Sequence, residues 1–294
     1  MTTKLTTNDT LSSFIDKYDN FLFDCDGVLW HGDQAIPGVI EVMNKLRAKN
    51  KRICFVTNNS TTSRVNFHKK FDRIGIEANL DEIFSSAVAT ASYLKHIVKL
   101  PADKKVYVIG MNGITEELGK EGIQSFGGEA DNGVWPNDPI PNDPSVAAVV
   151  VGLDTQVNYR KYAKAFTYLR NNPGCLFIAT NGDTTFPIHG SLFPGAGAIQ
   201  APLVTALNRQ PDAVLGKPAQ NMMEAIFAQY DFDKSRTVMV GDRLDTDIDF
   251  GLQAGLDTLC VLTGVTSEDQ LLSTSNTTNP TYYMDSFADF SKVL

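Results

Sequence analysis

Short apolar runs alternate with helical patterns along most of this chain. Two of the runs, residues 21–25 and 52–57, are separated by apolar positions at helical spacing between residues 39 and 46. A strand, a helix and a second strand in this order form a βαβ unit, whose two strands run parallel through a right-handed crossover. The chain therefore predicts a parallel sheet whose strand ends share one edge.

The same alternation continues beyond this unit. Phe67, Phe71 and Ile74 are spaced to place one face of a second helix against the sheet. Helical patterns lie between most of the later apolar runs, and this alternation predicts an α/β fold. The later runs predicted as strands are residues 106–109, 147–151, 176–179, 213–215, 237–240 and 258–262.

Two stretches of the chain lack a periodic pattern. Residues 127–144 are rich in Gly, Pro, Asn and Asp, which predicts a long surface loop. Residues 267–280 are polar and predict a loose connection before one last short element. No internal repeat or low-complexity segment is visible.

Length and charge narrow the range of partners. The chain has 294 residues and a net charge of −8. Its length suits two domains, and its negative charge argues against nucleic acid or an anionic membrane as a partner. No apolar run approaches the ~20 residues that a membrane-spanning helix needs. An anionic substrate would need local positive charge from a metal ion or a few lysines.

The cysteines and the first residues predict a compartment. Cys25, Cys54, Cys175 and Cys260 lie far apart and form no C-x-x-C pair, so they are expected to be buried free thiols in a reducing compartment. The first ten residues contain no apolar stretch after a basic start, and they therefore predict no secretory signal. The expected location is the cytoplasm, an expectation that leaves the nucleus open.

Polar and charged side chains follow four of the predicted strands. Ligands of open parallel sheets bind beyond the carboxyl ends of the strands, so these side chains are expected to gather at one site. The segments are Asp24 to Asp26 after the first strand, Thr57 to Asn59 after the second, Lys217 after residues 213–215, and Asp242 to Asp247 after residues 237–240.

Each of these segments also has a local interpretation. Asp26-Gly27 between apolar stretches is typical of a β-hairpin turn, and Asp242 fits the N-cap of a helix. Thr57-Asn58 fits a turn without a ligand, and Lys217 fits an exposed loop. Their joint occurrence at successive strand ends favours a shared site, and the hairpin interpretation is kept as a small flap after Asp26-Gly27.

Four ordered motifs resemble those of the haloacid dehalogenase superfamily. They are "DCDGVLW", "VTNN", "GKP" and "GDRLDTD", with the spacing of members that carry a large cap between the second and third motifs. The segments "VTNNSTTSR" and "ATNGDTTFPIHG…FPGAGA" are similar to the 4-nitrophenylphosphatase and phosphoglycolate phosphatase branch. The resemblance implies a phosphatase of small phosphomonoesters such as p-nitrophenyl phosphate and 2-phosphoglycolate.

The resemblance implies a covalent mechanism. Asp24 is the expected nucleophile, and an aspartyl-phosphate divides one hard step into two easier ones. The side chain of Asp26 is expected to protonate the leaving oxygen and later to deprotonate water. The expected cofactor is Mg²⁺, which suits oxygen ligands, held by Asp24, Asp242 and the backbone carbonyl of Asp26.

The remaining motif residues are expected to bind the phosphoryl group or to orient its ligands. Thr57, Asn58 and Asn59 would bind phosphoryl oxygens, and Lys217 would offset their charge. Asp247 is expected to act through metal-bound water or by orienting Lys217, without being a direct metal ligand.

The large cap of the family predicts a discontinuous domain arrangement. Residues 1–102 and 212–294 are expected to form a Rossmann-like three-layer core with a parallel sheet, and residues 103–211 an inserted α/β cap domain. The family also implies a homodimer formed through the cap.

Substrate choice is expected to depend on residues 181–190 of the cap. This segment is predicted to be a loop because Gly, Asp and Pro interrupt it after the predicted strand 176–179, and its candidate contact residues are Asn181, Asp183 and Phe186. Family members that favour pyridoxal phosphate carry a His before the corresponding Pro, where this chain has Phe186 before Pro187. The difference favours a small phosphorylated acid or sugar acid as substrate.

Other functions within and outside the superfamily fit less well. A dehalogenase does not need the acid that Asp26 supplies, and an ion-pumping ATPase carries Lys-Thr where this chain has Cys25-Asp26 and also needs membrane spans. A receiver-like signalling module is a single domain with its acceptor on a later strand. A phosphometabolite-binding protein without turnover would not need every catalytic position filled.

Overall fold

The computed structural model describes residues 2–133, 138–188 and 191–294, and it confirms an α/β fold with mostly parallel strands. The strands are β1 Thr3–Lys4, β2 Asn20–Phe23, β3 Trp30–His31, β4 Gln34–Ala35, β5 Arg52–Thr57, β6 Ile83–Ser85, β7 Lys105–Ile109, β8 Gln124–Gly127, β9 Val146–Val151, β10 Leu176–Ala179, β11 Thr185–Ile188, β12 Ser191–Pro194, β13 Ala213–Val214, β14 Thr237–Gly241, β15 Asp257–Val261 and β16 Tyr282–Met284.

The α-helices connect these strands. They are α1 Asn8–Lys17, α2 Val39–Ala48, α3 Arg64–Ile74, α4 Ser86–Ser92, α5 Asn112–Lys120, α6 Tyr159–Asn171, α7 Ala196–Leu207, α8 Gln220–Gln229, α9 Asp249–Gln253 and α10 Glu268–Leu272. The shorter turns of 3-10 or π type are Leu80–Glu82, Tyr93–Ile97, Gly128–Asp131, Lys234–Arg236, Leu244–Ile248 and Phe287–Lys292. No helix in the described ranges is both long and apolar enough to cross a membrane.

The first of two compact units consists of residues 1–57, 67–84 and 217–294. It contains a seven-stranded sheet in the order β1-β16-β15-β14-β2-β5-β6. Strand β2 pairs in parallel with β14 on one side and with β5 on the other. The carboxyl ends of these three strands therefore meet at one edge of the sheet.

Strand β2 lies in the centre of this unit because its four residues are all buried. Phe21 and Phe23 stack with their ring centroids 6.0 Å apart. The ring centroids of Phe55 in β5 and Phe71 in α3 are 4.4 Å apart. A strand covered on both faces needs a continuous apolar sequence, which residues 21–23 provide. Burying each such side chain stabilises the fold by about 1.5–3 kcal/mol, so the strand that leads to Asp24 is firmly held.

The second unit consists of residues 58–66 and 85–216. Its five-stranded sheet has the order β13-β10-β9-β7-β8, and all of its described pairings are parallel. Strands β11 and β12 form a separate antiparallel hairpin.

The strands predicted from apolar runs are confirmed, with bounds that differ by two residues at most. Helix α2 begins at Val39 and buries its four predicted apolar positions, and α3 buries Phe67 and Phe71. The predicted flap after Asp26-Gly27 is the small antiparallel hairpin of β3 and β4.

Three segments predicted as irregular contain regular structure. In residues 127–144, a 3-10 turn ends at the buried Asp131, whose carboxylate accepts a hydrogen bond from Tyr107. In residues 267–280, α10 forms because Ser267 caps it and Leu271 is buried. In residues 181–190, strand β11 forms by pairing with β12, and residues 189–190 lie outside the described residues.

The division into units differs from the predicted boundaries at residues 103 and 211. Helix α4 packs on α5, and the hydroxyl of Ser86 donates a hydrogen bond of 2.7 Å to the Asn58 carbonyl. The amide of Gly113 donates to the Thr61 carbonyl at 3.1 Å. These contacts join residues 58–66 and 85–102 to the second unit rather than to the first.

Candidate active site

Asp24 and Asp26 follow the central strand of the first unit. The amide of Asp24 donates to the Val240 carbonyl at 2.9 Å, which extends the pairing of β2 with β14 by one residue. The Asp24 side chain is 13% exposed, whereas that of Asp26 is 43% exposed. The two carboxyls therefore leave the same strand end in different environments.

Lys217 lies beside Asp24 and is almost completely buried. Its Nζ donates to Asp24 Oδ1 at 2.6 Å and to the Val56 carbonyl at 2.6 Å, and it lies 2.7 Å from Asp247 Oδ1. A buried ammonium needs such partners because its desolvation is costly. Lys217 thus fixes the orientation of the Asp24 carboxylate.

Asp242 and Asp247 come from the loop after β14. Asp247 Oδ2 accepts hydrogen bonds from the amides of Asp242 at 3.2 Å and Arg243 at 3.1 Å, while its Oδ1 faces Lys217. Both oxygens of Asp247 are therefore used in holding the loop and the lysine. Asp245 is exposed and forms an ion pair with Arg243.

Two glycines leave room for the Asp242 carboxylate. A Cβ on Gly27, whose φ is +87°, would lie 2.7 Å from Asp242 Oδ2, and a Cβ on Gly264 would overlap the same oxygen. The amide of Val265 donates to Asp242 Oδ2 at 2.7 Å. The loops after β2 and β15 thus form a fitted holder for this carboxylate.

The electrostatics of the site show a shortage of positive charge. Burial raises the pKa of Asp242 to about 7, and the Asp247 carboxylate adds to the rise. Burial also raises the pKa of Asp24 well above its ordinary range, against the lowering effect of Lys217. Burial alone lowers the pKa of Lys217, but Asp24 and Asp247 outweigh it and raise that pKa, so the lysine stays charged. Among the described residues, Lys217 therefore forms ion pairs with Asp24 and Asp247, and Asp242 has no ion pair.

These groups fit a hard divalent cation. Asp24, Asp242 and Asp247 each place one oxygen within 4.8 Å of the others. Asp24 Oδ2, Asp242 Oδ1 and the Asp26 carbonyl oxygen accept no hydrogen bond from any residue that the structure describes. Unpartnered oxygens in negative surroundings are the donor set that Mg²⁺ prefers.

The Asp26 carboxylate contacts the residues that follow it and helix α3. Trp30 Nε1 donates to Asp26 Oδ1 at 2.8 Å, and Lys70 Nζ lies 3.5 Å from the same oxygen. The indole of Trp30 is completely buried.

The Thr57 to Asn59 segment crosses the division between the units. Thr57 ends β5 and is buried in the first unit, whereas Asn58 and Asn59 belong to the second. The side-chain oxygen of Asn59 accepts hydrogen bonds from the amides and hydroxyls of Thr61 and Thr62, which closes the next turn. A phosphate contact of Asn59 stays a prediction.

Asn58 contacts the predicted cap segment within the second unit. Its Nδ2 donates to both oxygens of Asp183, at 3.0 and 3.2 Å. The Asn58 carbonyl accepts from Asn181 Nδ2 at 2.8 Å, and Asn181 Oδ1 accepts from the Asp183 amide. Phe186 lies apart from this network on β11, opposite Phe193.

Several residues of the site were not predicted from the sequence. Gly264 and Val265 follow a predicted strand, so examining the end of residues 258–262 would have found them. Trp30 stands within the "DCDGVLW" motif, but its spacing of four residues from Asp26 carries no signal of a side-chain contact. Lys70 is one of several charges on α3.

Comparisons with known proteins agree with this geometry. Residues 21–124 match the family model of haloacid dehalogenase-like hydrolases, and residues 214–290 match a second model of HAD-hydrolase-like proteins. These two ranges include all four strand ends of the site.

Similar proteins cover nearly the whole chain. The 4-nitrophenylphosphatase of Schizosaccharomyces pombe is 46% identical over 99% of both chains. Phosphoglycolate phosphatase 2 of Arabidopsis thaliana is 44% identical over 100% of this chain and 99% of its own. The structure of a glycerol phosphate phosphatase from Mycobacterium tuberculosis in complex with magnesium is 30% identical, with a TM-score of 0.79 over 94% of this chain and 78% of that one.

Proposed function

This chain belongs to the haloacid dehalogenase-like hydrolases and is a phosphatase of small phosphate esters, and from that premise we propose that it acts through an aspartyl-phosphate on Asp24 and depends on Mg²⁺. The observation that carries this proposal is the buried contact of Lys217 with Asp24 and Asp247 at 2.6 and 2.7 Å. This lysine holds a buried carboxylate whose second oxygen is left without a partner among the described residues.

In the first half-reaction, one oxygen of the Asp24 carboxylate attacks phosphorus, and the other oxygen stays available to the metal. The new bond between the attacking oxygen and phosphorus forms as the bond from phosphorus to the leaving oxygen breaks. Asp26 gives its proton to the leaving oxygen. Lys217 donates a hydrogen bond to Asp24 Oδ1, so the carboxylate does not have to be reoriented.

In the second half-reaction, water replaces Asp24 on phosphorus. Asp26 takes a proton from the water as its oxygen bonds to phosphorus and the bond to Asp24 breaks. The products are inorganic phosphate and the free Asp24 carboxylate, and Asp26 carries its proton again for the next substrate. The cycle consumes only the ester and one water molecule.

Asp24, Asp242 and the Asp26 carbonyl are the residues that would hold the metal. Mg²⁺, when bound, supplies the positive charge that a carboxylate needs to approach a phosphate dianion. The raised pKa of Asp242, about 7, supports this assignment because the site lacks such charge on its own. Structures of the mycobacterial glycerol phosphate phosphatase in complex with magnesium and with calcium support a divalent metal.

The proposed substrate is a small phosphorylated acid or alcohol. The names of the relatives include 4-nitrophenyl phosphate, phosphoglycolate and glycerol phosphate. Phe186 stands where the pyridoxal phosphate branch carries a His, which favours 2-phosphoglycolate or a related metabolite. We further propose that the second unit acts as the cap, that the protein forms a homodimer through it, and that it works in the cytoplasm.

Phosphate release from p-nitrophenyl phosphate tests the metal-dependent activity. We expect turnover in Mg²⁺ and loss of turnover with excess chelator, restored by added Mg²⁺. Equal rates with and without chelator would contradict the metal dependence. Chloride release from a 2-chloro acid serves as the control for dehalogenase activity, and we expect none.

A panel of metabolites tests the substrate proposal. 2-Phosphoglycolate, glycerol phosphate, pyridoxal phosphate and sugar phosphates would be compared by kcat/KM. We expect one of the first two to be the best substrate, and pyridoxal phosphate as the best substrate would overturn the proposal.

A further inference from the structure

The carboxylate of Asp26 has an asymmetric environment. Its Oδ1 accepts a hydrogen bond of 2.8 Å from the Trp30 indole and lies 3.5 Å from Lys70 Nζ. Its Oδ2 accepts no hydrogen bond from the part of the chain that the structure describes. Two N–H donors therefore face one oxygen and leave the other free.

The indole of Trp30 is held from several sides. Phe71 packs edge to face with its ring centroid 4.9 Å away, and Phe67 lies at 6.0 Å. Lys70 Nζ lies 4.6 Å from the ring centroid. Such aromatic and cation–π contacts each stabilise one ring orientation. All three contacts come from α3, so the direction of the indole N–H is fixed by the helix.

The backbone between Asp26 and Trp30 forms a tight loop. The amides of Val28, Leu29 and Trp30 all point to the Cys25 carbonyl, at 3.3, 2.8 and 3.3 Å. The Gly27 amide donates to the Trp30 carbonyl at 2.8 Å. The loop places residue 30 directly beside residue 26, and the hairpin of β3 and β4 then continues from Trp30.

We propose that Trp30, assisted by Lys70, is a positioning residue that selects which oxygen of Asp26 carries the catalytic proton. An oxygen that accepts hydrogen bonds from two N–H donors cannot hold a proton without losing one of them. The proton of Asp26 therefore resides on Oδ2. It moves from Oδ2 to the leaving oxygen in the first half-reaction and returns to Oδ2 from water in the second. The inference rests on the proposed function of Asp26 as acid and base.

The substitution Trp30→Phe tests this inference because it keeps an aromatic ring and removes the N–H. The measurement is kcat/KM for 4-nitrophenyl phosphate, phenyl phosphate and glycerol phosphate, since kcat/KM reports the step in which the leaving oxygen is protonated. We expect at least a tenfold loss for glycerol phosphate and less than a threefold loss for 4-nitrophenyl phosphate, whose leaving group barely needs a proton. Lys70→Met should show the same selectivity with a smaller loss, since its contact is longer.

Two further variants separate the possible causes. Phe67→Leu changes the packing of the same indole but leaves its N–H. We expect no selective loss, that is, no greater loss of kcat/KM for glycerol phosphate than for 4-nitrophenyl phosphate. Asp26→Asn sets the reference, with the largest selective loss. A uniform loss in Asp26→Asn would overturn the proposed role of Asp26 itself.

The inference alone is overturned by a different pattern. In that pattern Asp26→Asn shows a selective loss, but Trp30→Phe lowers kcat/KM for all three substrates by the same factor. A selective loss in Phe67→Leu would overturn the inference as well. If Trp30→Phe does not fold, Lys70→Met decides the matter. A selective loss in that variant supports the inference, and a uniform loss or none overturns it.

Discussion

At the scale of single residues, the site depends on how closely side chains and backbone approach each other. The Asp242 carboxylate fits between Gly27 and Gly264 only because neither residue carries a Cβ. The same carboxylate accepts a hydrogen bond from the Val265 amide. The residue at position 264 therefore affects the proposed metal site without contributing a ligand.

The substitution Gly264→Ala should displace the Asp242 carboxylate. The added Cβ would overlap Asp242 Oδ2, so either the loop or the carboxylate must move. We expect the Mg²⁺ concentration for half-maximal hydrolysis of p-nitrophenyl phosphate to rise at least tenfold. Gly119→Ala is the matched control, because a Cβ there meets nothing within 4 Å. An unchanged Mg²⁺ titration in Gly264→Ala would contradict this account of the loop.

Some residues of the site can be predicted from the sequence, and others cannot. Asp24, Lys217 and Asp242 follow apolar runs, and the parallel arrangement of strands is enough to bring strand ends together. The fit of Gly264 against Asp242 depends on how closely two loops approach each other once the chain has folded. The contact of Trp30 with Asp26 depends on the path of a five-residue loop. Neither of these two contacts produces a periodic pattern in the sequence.

At the scale of elements, prediction succeeds where burial is continuous. Strands β2, β5 and β14 are buried along their whole length or nearly so, and their apolar runs are clear in the sequence. Strand β1 has two residues, and β12 is exposed throughout. The formation of these two strands therefore depends on the strands they pair with more than on their own residues. Helix α10 has one buried residue, Leu271, and gives no periodic pattern.

The hairpin of β11 and β12 offers a test of substrate choice. Phe186 and Phe193 are cross-strand partners on this hairpin. We expect Phe186→His to raise kcat/KM for pyridoxal phosphate relative to 2-phosphoglycolate by at least tenfold, because His stands at this position in members that favour pyridoxal phosphate. The rate with p-nitrophenyl phosphate should change less than threefold.

Phe193→His is the matched control for that experiment. It places the same imidazole on the neighbouring strand, and we expect no change in the ratio of the two substrates. Equal shifts in both variants would show that the hairpin responds to any polar substitution, and Phe186 would then not be the determinant.

At the scale of the whole molecule, pH and metal binding are linked. Without metal, the folded protein binds a proton on Asp242 with a pKa of about 7, compared with an ordinary value of 3.8. A carboxyl with a raised folded pKa favours the folded state below pH ~4, and this contribution is lost as the pH rises to about 7. Metal binding displaces this proton, so the stabilisation of the folded protein by Mg²⁺ should increase as the pH rises over the same range.

We therefore expect Mg²⁺ affinity to rise with pH up to about 7 and then to level off. Below pH 7 the change should approach tenfold per pH unit for the proton displaced from Asp242, and the raised pKa of Asp24 should make the dependence steeper. Thermal unfolding midpoints at several Mg²⁺ concentrations between pH ~5.5 and ~8 would measure it. An affinity that does not depend on pH, or that falls as pH rises, would contradict the raised pKa of the buried carboxyl.

The central claim is that Asp24 becomes phosphorylated during turnover. Rapid quenching with p-nitrophenyl phosphate, followed by borohydride reduction and peptide mass mapping, locates an acyl phosphate as a reduced residue. The account predicts reduction at Asp24 in the wild type, no reduction at that position in Asp24→Asn, and loss of turnover in this variant while it stays folded. Reduction at another residue, or turnover by Asp24→Asn within tenfold of the wild type, would contradict the account.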